Sequence, residues 1–514
     1  MSILKIYESL QRGNPFSKEM EQHILNCWET IPKFQLSALI PLLESPSGNQ
    51  SSPFLEKLLE RCSLLKDLFL KSLIETKGPA CMRVLYKLRN QQPLGESLIE
   101  HWVKEMSSAL PPKEAIAFAL MLIKSKGLQD CDLALLTKAL SNSGDIFDYR
   151  KKIQFENVKW VRRYPTGAVS EKIALILPSM IGAASKTFPV LSSFLVAKSL
   201  SFTGGTWDKL AAIRGFTFPQ PGKQSLETIK SCGIAMTVTQ GNANPADRFL
   251  YPLRSVTGTV ESTPLIISSI VSKQLTFPVD HLLLDVRYGR GAFLKDLHYA
   301  KKISEHMQKL LHDEGIETQI VYTNAEEITG SSIGNSLEIL EALSILSNEN
   351  SHWHPLGIKR QKDLAIHMFS ILLNQAFPNY CLSFWKEYGK TLLESGLVKQ
   401  FFIKLLLSHK VADTDIKKLC QNPHDFFLRD ATQSTVISKR RGRIKSIDQR
   451  SLGYFVNFSL GNARSAMKRD SNPNCGIKLE KLPGDFVEKG ETLAKVFAKG
   501  PIASETLETF FTIE

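Results

Sequence analysis

His281-Leu282-Leu283-Leu284-Asp285-Val286, with three successive leucines, reads as a buried strand that ends at the glycine-punctuated segment Arg287-Tyr288-Gly289-Arg290-Gly291-Ala292. Its length and its ending mark a buried strand followed by a loop. Gly233-Ile234-Ala235-Met236-Thr237-Val238-Thr239 has the same short, β-prone texture. Helical patterns lie between such runs from about residue 155 onward, and this alternation predicts an α/β sheet domain. In such sheets ligands sit at the loops that leave the strand ends.

The texture differs on either side. Residues 1 to 150 read as helix after helix, with Leu25, Trp28, Leu36, Leu39, Ile40 and Leu43 at helical spacing. A polar linker from Ser45 to Pro53 then introduces what reads as an extra helical block at about 45–112. After about residue 430, Gly442, Gly453, Gly461, Gly484 and Gly490 separate short β-prone runs. The expected architecture is α/β multidomain. It comprises a helical domain over 1–150, an α/β domain over 151–245 and 277–430, a helical return over 246–276, and a C-terminal α+β appendage over 431–514. A mixed sheet is expected in the α/β domain.

A chain of 514 residues exceeds one ordinary core. With 43% hydrophobic and 22% charged residues it is a folding chain rather than a disordered one. The net charge of +13 favours anionic partners but is spread along the chain. Its densest run, Lys439, Arg440, Arg441, Arg443 and Lys445, has no interleaved aromatic residue and reads as a solvated loop rather than a nucleic-acid surface. Eight cysteines without a CxxC pair fit free thiols in a reducing compartment. Neither they nor His281, His298 and His354 have metal-ligand spacing. Met1 to Gly13 lacks the apolar centre of a secretory signal, and the apolar stretches near 173–184 and 401–407 are too short for a bilayer. A cytoplasmic protein without membrane association is expected.

Two segments carry the chemistry of an anion site. Thr203-Gly204-Gly205-Thr206-Trp207-Asp208-Lys209-Leu210 places two glycines and a hydroxyl before a helical run, where backbone N–H groups and the helix dipole can hold an anion. Arg163-Tyr164-Pro165-Thr166-Gly167-Ala168-Val169-Ser170 has the same form and leads into an apolar run. Elsewhere Ser269 and Lys273 stand four residues apart, on one face of a helix, downstream of Arg254. A guanidinium and an ammonium aimed at the oxygens of a pyrimidine would stabilise the charge the ring acquires as it leaves a sugar. Together these elements suggest one cleft that holds phosphate at one end and a planar polar ring at the other.

These segments resemble those of the thymidine and pyrimidine-nucleoside phosphorylases. The family's Pro-Ala-Asp-Lys-x-Leu-Tyr-Ala-Leu-Arg is matched by Pro245 to Arg254, and its Asp-Val-Lys-x-Gly-x-Gly-Ala-Phe by Asp285 to Phe293. The similarity runs in order through residues 6–44, about 113–345 and about 440–500. The resemblance implies reversible phosphorolysis of a pyrimidine nucleoside to free base and pentose 1-phosphate, with inorganic phosphate as co-substrate, no cofactor and no metal. It further implies a homodimer formed through the helical domain, with Arg254, Ser269 and Lys273 as the base-binding trio and Arg254 and Lys273 as its catalytic members. Phosphate would be held by Arg163, Thr166, Thr206 and Ser192, with Tyr164 beside the base.

The sequence departs from the family at the first loop. Arg163 replaces a lysine, Tyr164 a histidine, Pro165 a phosphate-donating serine, and Ala174 a second such serine. Proline cannot donate even through its backbone nitrogen. Counting back from the Thr203 turn places Val196, rather than Ser192, at the third serine position. These replacements leave two alternatives: a nucleoside-binding or interaction protein with impaired turnover, or an enzyme with a different anionic second substrate.

Overall fold

A computed structural model of the chain describes residues 19, 20, 22, 79–153, 157–349, 352–462 and 472–514. The helical positions Leu25 to Leu43, the linker from Ser45 to Pro53 and the extra block as far as residue 78 lie outside the described residues. The chain divides into two compact units, Met1–Gly144 with Asn244–Ser272, and Asp145–Ala243 with Lys273–Glu514.

In the smaller unit the helices Ala80–Arg89, Glu96–Met106, Lys113–Lys126 and Asp130–Ser141 share a core centred on Trp102, Ile116, Leu120 and Ile123, all fully buried. Two carboxylates supply the acceptors that helix starts need. Glu105 accepts from the amides of Ala80 and Cys81 at 2.6 and 2.8 Å, and Asp132 from those of Leu94 and Gly95 at 2.8 and 3.1 Å. The helix Pro245–Val256 adds Ala246 and Leu250 to the same core, so the return segment completes a hydrophobic cluster begun much earlier in the chain. It starts with proline at the first helical position and with the Asn244 side chain accepting from Asp247 N, two features that set a helix N-terminus.

The larger unit is built on five strands, β1 (Lys159–Pro165), β2 (Val190–Leu195), β3 (Ile234–Thr237), β4 (His281–Tyr288) and β5 (Glu317–Asn324), in the order β3-β2-β1-β4-β5. Every pairing among them is parallel. This arrangement explains the three successive leucines of β4: seven of its eight residues are buried, because both faces of a parallel sheet are covered. Strand order reverses between β1 and β4, and their register aligns Pro165 with Asp285. The carboxyl ends of β1 and β4 therefore lie side by side at the switch point where open α/β sheets take their ligands.

Antiparallel strand pairs form two further sheets. One contains β6 (Ser332–Ile333), β7 (Thr432–Ile437), β9 (Gly476–Leu479) and β11 (Thr492–Ala498). The other contains β8 (Gly442–Ile447), β10 (Phe486–Val487) and β12 (Phe511–Ile513). Both belong to the larger unit. The basic run from Lys439 to Lys445 forms the β7–β8 turn and the start of β8. Part of its charge is met locally: Arg441 lies 3.3 Å from Glu488, Lys445 pairs with Glu514, and Arg443 donates to Gly484 O.

No helix among the described residues is long and apolar enough to cross a membrane, and no group of three or more potential ligands there could hold a metal ion. The described cysteines are all free.

His409 makes the larger unit acid-sensitive. Its ring is buried, with Nδ1 donating to Thr217 O at 2.9 Å and Nε2 accepting from Met236 N at 3.2 Å. Burial lowers its pKa from the ordinary 6.5 to about 4. The unfolded chain binds this proton more tightly than the folded one, so His409 contributes full stability above pH 6.5, progressively loses it as pH falls, and contributes no further loss below about 4. The loss should approach about 3 kcal/mol. Urea denaturation of wild type against His409→Gln should show a wild-type pH slope through this window that the variant lacks. An equal slope in both would exclude His409 as its source.

Candidate functional site

The carboxyl ends of β1 and β4 are joined by an ionic network. Arg163 does not lie in a turn, as the sequence suggests; it is a buried residue of β1. Its Nη2 donates to Asp285 and, at 3.0 Å, to Glu171. Arg287 Nε donates to the same Asp285 oxygen at 2.7 Å, while Asp285 Oδ1 accepts from Thr323 Oγ1 at 2.5 Å. Burial opposes charge on Arg163 and Glu171, but mutual attraction outweighs it. Arg163 is held above its ordinary pKa, and Glu171 is pulled down to about 2 by Arg163, Arg287 and Lys209. Two Arg163 nitrogens, Nε and Nη1, and Arg287 Nη2 are buried with no hydrogen-bond partner.

The backbone after β1 is fixed against the β4 turn. Thr166 N donates to Asp285 O at 3.0 Å, and Thr166 Oγ1 accepts from Arg287 N at 2.8 Å. Ala168 bridges Ala292, and Val169 N donates to Gly291 O. Gly167 sits at φ +100°, a conformation that favours glycine, and a Cβ there would stand a tight 3.3 Å from the Phe293 ring. Tyr164 is half-buried in β1.

The second segment also differs from its sequence reading in detail. The helix begins at Thr206 but is short, Thr206–Ala211. Thr203 Oγ1 donates to Leu200 O at 2.9 Å, which closes the preceding turn rather than capping the helix. Asp208 accepts from Ser199 N at 2.6 Å and so clamps the loop before the turn. Among the described residues the amides of Gly204, Gly205 and Thr206 have no intramolecular acceptor. A Cβ at Gly205 would meet backbone atoms of Ser199 and Lys198 at 2.2 and 2.4 Å, whereas at Gly204 the nearest atom stands at 3.5 Å. Gly205→Ala is therefore expected to cost about 1–3 kcal/mol of stability and Gly204→Ala to stay within about 1 kcal/mol. Thermal denaturation of the two variants checks the contrast, and equal losses would contradict this packing.

Ser192, assigned to phosphate from its sequence, is an interior residue of β2. It is fully buried, and its hydroxyl donates to Val161 O on the neighbouring strand at 2.6 Å. That bond occupies its only O–H. Val196, the alternative position, is also buried and contributes an apolar side chain.

Arg254, Ser269 and Lys273 are each at least nine-tenths buried. Arg254 lies in the last turn of Pro245–Val256, with Nη1 donating to Leu265 O at 3.0 Å and Nη2 to Val260 O at 2.7 Å. These bonds hold the guanidinium against the start of the helix Thr263–Thr276. Its Nε is buried without a partner. Burial lowers its pKa, and Asp247 and Tyr251 partly offset that effect. Ser269 and Lys273 share the helix Thr263–Thr276, and Asn244 Nδ2 donates to Ser272 Oγ at 3.1 Å to fasten that helix to the start of the other.

Sequence reasoning assigned no role to four charged residues of the larger unit that fasten its two loop segments. The helix Asn335–Ser347 is buried from Asn335 through Leu346, yet carries Glu338 and Glu341. Lys209 Nζ lies 2.7 Å from Glu338, and Lys172 Nζ lies 3.0 Å from Glu341. The available signal was a pair of carboxylates, three residues apart, inside an otherwise apolar helix; such groups require buried cations.

Residues 180–354 match the glycosyl transferase family a/b domain, and residues 443–511 match the pyrimidine nucleoside phosphorylase C-terminal domain. The chain is 30% identical over 429 residues to the pyrimidine-nucleoside phosphorylase of Bacillus subtilis (strain 168), covering 82% of this chain and 93% of the relative. It is 28% identical over 423 residues to the thymidine phosphorylase of Colwellia psychrerythraea, covering 82% and 92%. Among solved structures it is similar to anthranilate phosphoribosyltransferase from Thermus thermophilus, with a TM-score of 0.48 and 13% identity over 64% of this chain and 99% of that one. With its C-terminal domain, its motifs at Pro245–Arg254 and Asp285–Phe293 and this breadth of identity, the chain belongs to the thymidine and pyrimidine-nucleoside phosphorylase family.

Proposed function

We propose that the chain catalyses reversible phosphorolysis of a pyrimidine nucleoside, giving free base and pentose 1-phosphate. A phosphate oxygen attacks C1′ as the bond from C1′ to the ring nitrogen breaks, and the electron pair of that bond passes to the base. Arg254 and Lys273 stabilise the resulting negative charge, and Ser269 orients the ring by hydrogen bonding. No covalent enzyme intermediate and no cofactor enter this scheme.

Phosphate is received by the amides of Gly204, Gly205 and Thr206, the Thr206 hydroxyl, and the unpartnered Nε and Nη1 of Arg163. Thr166 shapes the first segment through its bond to Arg287 N, and Tyr164 stands near the end of β1 in the position that the family gives to a base contact. Ser192 has no part in this scheme. The protein acts as a cytoplasmic homodimer formed through its helical unit, without membrane or nucleic-acid partners.

One observation carries this reading. Arg254, Ser269 and Lys273 are all present and buried in a chain 30% identical over most of its length to a pyrimidine-nucleoside phosphorylase. Purified protein incubated with thymidine, uridine or deoxyuridine should release free base only when phosphate is added. Nucleoside binding without release would instead favour a non-catalytic family member.

A further inference from the structure

We infer that Glu338, acting through Lys209, is a positioning residue for the phosphate subsite; the inference rests on the phosphorolysis reading above. The two segments that supply the proposed anion donors are separated in sequence, and buried ion pairs fasten both to one helix. Lys209 lies three residues beyond Thr206. Its ammonium lies 2.7 Å from Glu338 Oε2 and donates at 2.6 Å to Glu171 O, the backbone of the other segment. Lys172, at the end of that segment, lies 3.0 Å from Glu341 Oε2, donates at 3.0 Å to Ser332 O, and also donates to Ser170 Oγ. Glu338 and Glu341 are three residues apart and thus share a helix face.

The Lys209–Glu338 pair also lies directly beneath the glycine turn. A Cβ built on Gly204 would be 3.5 Å from Lys209 Cε and 3.7 Å from Glu338 Oε1. Glu338 Oε1 in turn accepts from Gly334 N at 3.2 Å, which ties the carboxylate to the start of its own helix. Lys209 and Glu338 are almost fully buried, at 1% and 2% side-chain exposure, so water cannot replace either partner. The placement of the Gly204–Thr206 amides is thus set by one ammonium that bridges Glu338 and the carbonyl of Glu171.

A positioning role and a purely stabilising one predict different behaviour of three variants. Glu338→Gln and Lys209→Met each leave the partner's charge buried and should lower the melting temperature. The double variant removes both charges and should recover part of that loss. If the pair positions the turn, all three variants raise KM for phosphate about tenfold or more, with kcat and KM for the nucleoside within about twofold of wild type. Recovery of phosphate KM together with stability in the double variant would overturn the inference, as would an unchanged phosphate KM in the single variants.

Hydrogen exchange supplies a readout that does not require turnover. The amide of Trp207, which donates to Ala197 O at 3.1 Å and closes the turn, should exchange faster in the double variant while β1 and β4 remain protected. Unchanged exchange at the turn overturns the positioning role whether or not the wild type is active. Absence of phosphate-dependent turnover in the wild type, by contrast, overturns the phosphorolysis reading and leaves the exchange result to decide the role of Glu338.

Discussion

Replacing Lys273 by alanine is expected to reduce kcat/KM for nucleoside phosphorolysis by about a hundredfold to a thousandfold, the usual cost of removing one group that stabilises charge only in the transition state. The loss should fall mainly on kcat, because the pyrimidine is neutral when bound and becomes anionic only as its bond to the sugar breaks. Ser269→Ala, which removes a neutral hydrogen bond, should cost about tenfold. Arg254 is a poorer probe of charge alone. Its Nη1 and Nη2 are bonded to Leu265 O and Val260 O, so its replacement also loosens the segment between two helices. Steady-state kinetics of the two variants, with circular dichroism to confirm folding, checks the ordering. Full activity in Lys273→Ala would remove the chemical basis for the proposed base site.

The largest stability effect is expected at Asp285, although Asp285 has no proposed contact with substrate. Its carboxylate pairs with both Arg163 and Arg287 and accepts from Thr323. Asp285→Asn keeps the shape but removes the charge, leaving two buried guanidinium groups with Glu171 as their remaining carboxylate partner among the described residues. Breaking a buried pair from one side typically costs about 3–5 kcal/mol, much more than the pair itself contributes. Urea denaturation followed in the larger unit should show a loss of this size, and a change under about 0.5 kcal/mol, the range of ordinary surface substitutions, would show that water reaches the network. The variant should also weaken phosphate binding, because the same carboxylate orients the Arg163 nitrogens proposed to receive it.

The division into helical and α/β parts was legible because it depends on local pattern, whereas the expectation of a mixed sheet missed that all five strands of the central sheet pair in parallel. His281 to Val286 announced a buried strand, and the structure has it as β4. Arg163 was harder to place. Its sequence neighbours suggested a turn, but the residue lies in a strand and is paired with Asp285, which is remote in the sequence. The surroundings of Ser192 were hidden for a similar reason: the carbonyl that takes its hydroxyl belongs to a neighbouring strand. Charge pairing of this kind is set by tertiary approach. It explains why Glu338 and Glu341 stood in the sequence only as two acids in an apolar helix, without indication of the lysines that meet them.

The anion subsite proposed above differs in character from one built on serine hydroxyls. Lys172, Lys209, Arg163 and Arg287 are balanced by Glu171, Glu338, Glu341 and Asp285, so the buried region has no large excess of positive charge. In the proposed scheme, attraction for phosphate then depends on oriented donors, namely three turn amides, one threonine hydroxyl and the unpartnered nitrogens of one guanidinium. Such a site gains affinity from geometry more than from net charge, and its phosphate affinity should depend less steeply on ionic strength than that of an exposed cationic loop.

The most direct test of the account is phosphorus NMR of wild-type protein incubated with thymidine or uridine and inorganic phosphate. Phosphorolysis predicts a new pentose 1-phosphate resonance that grows in proportion to the free base released. Base release without that resonance, or no release while nucleoside remains bound, would contradict it.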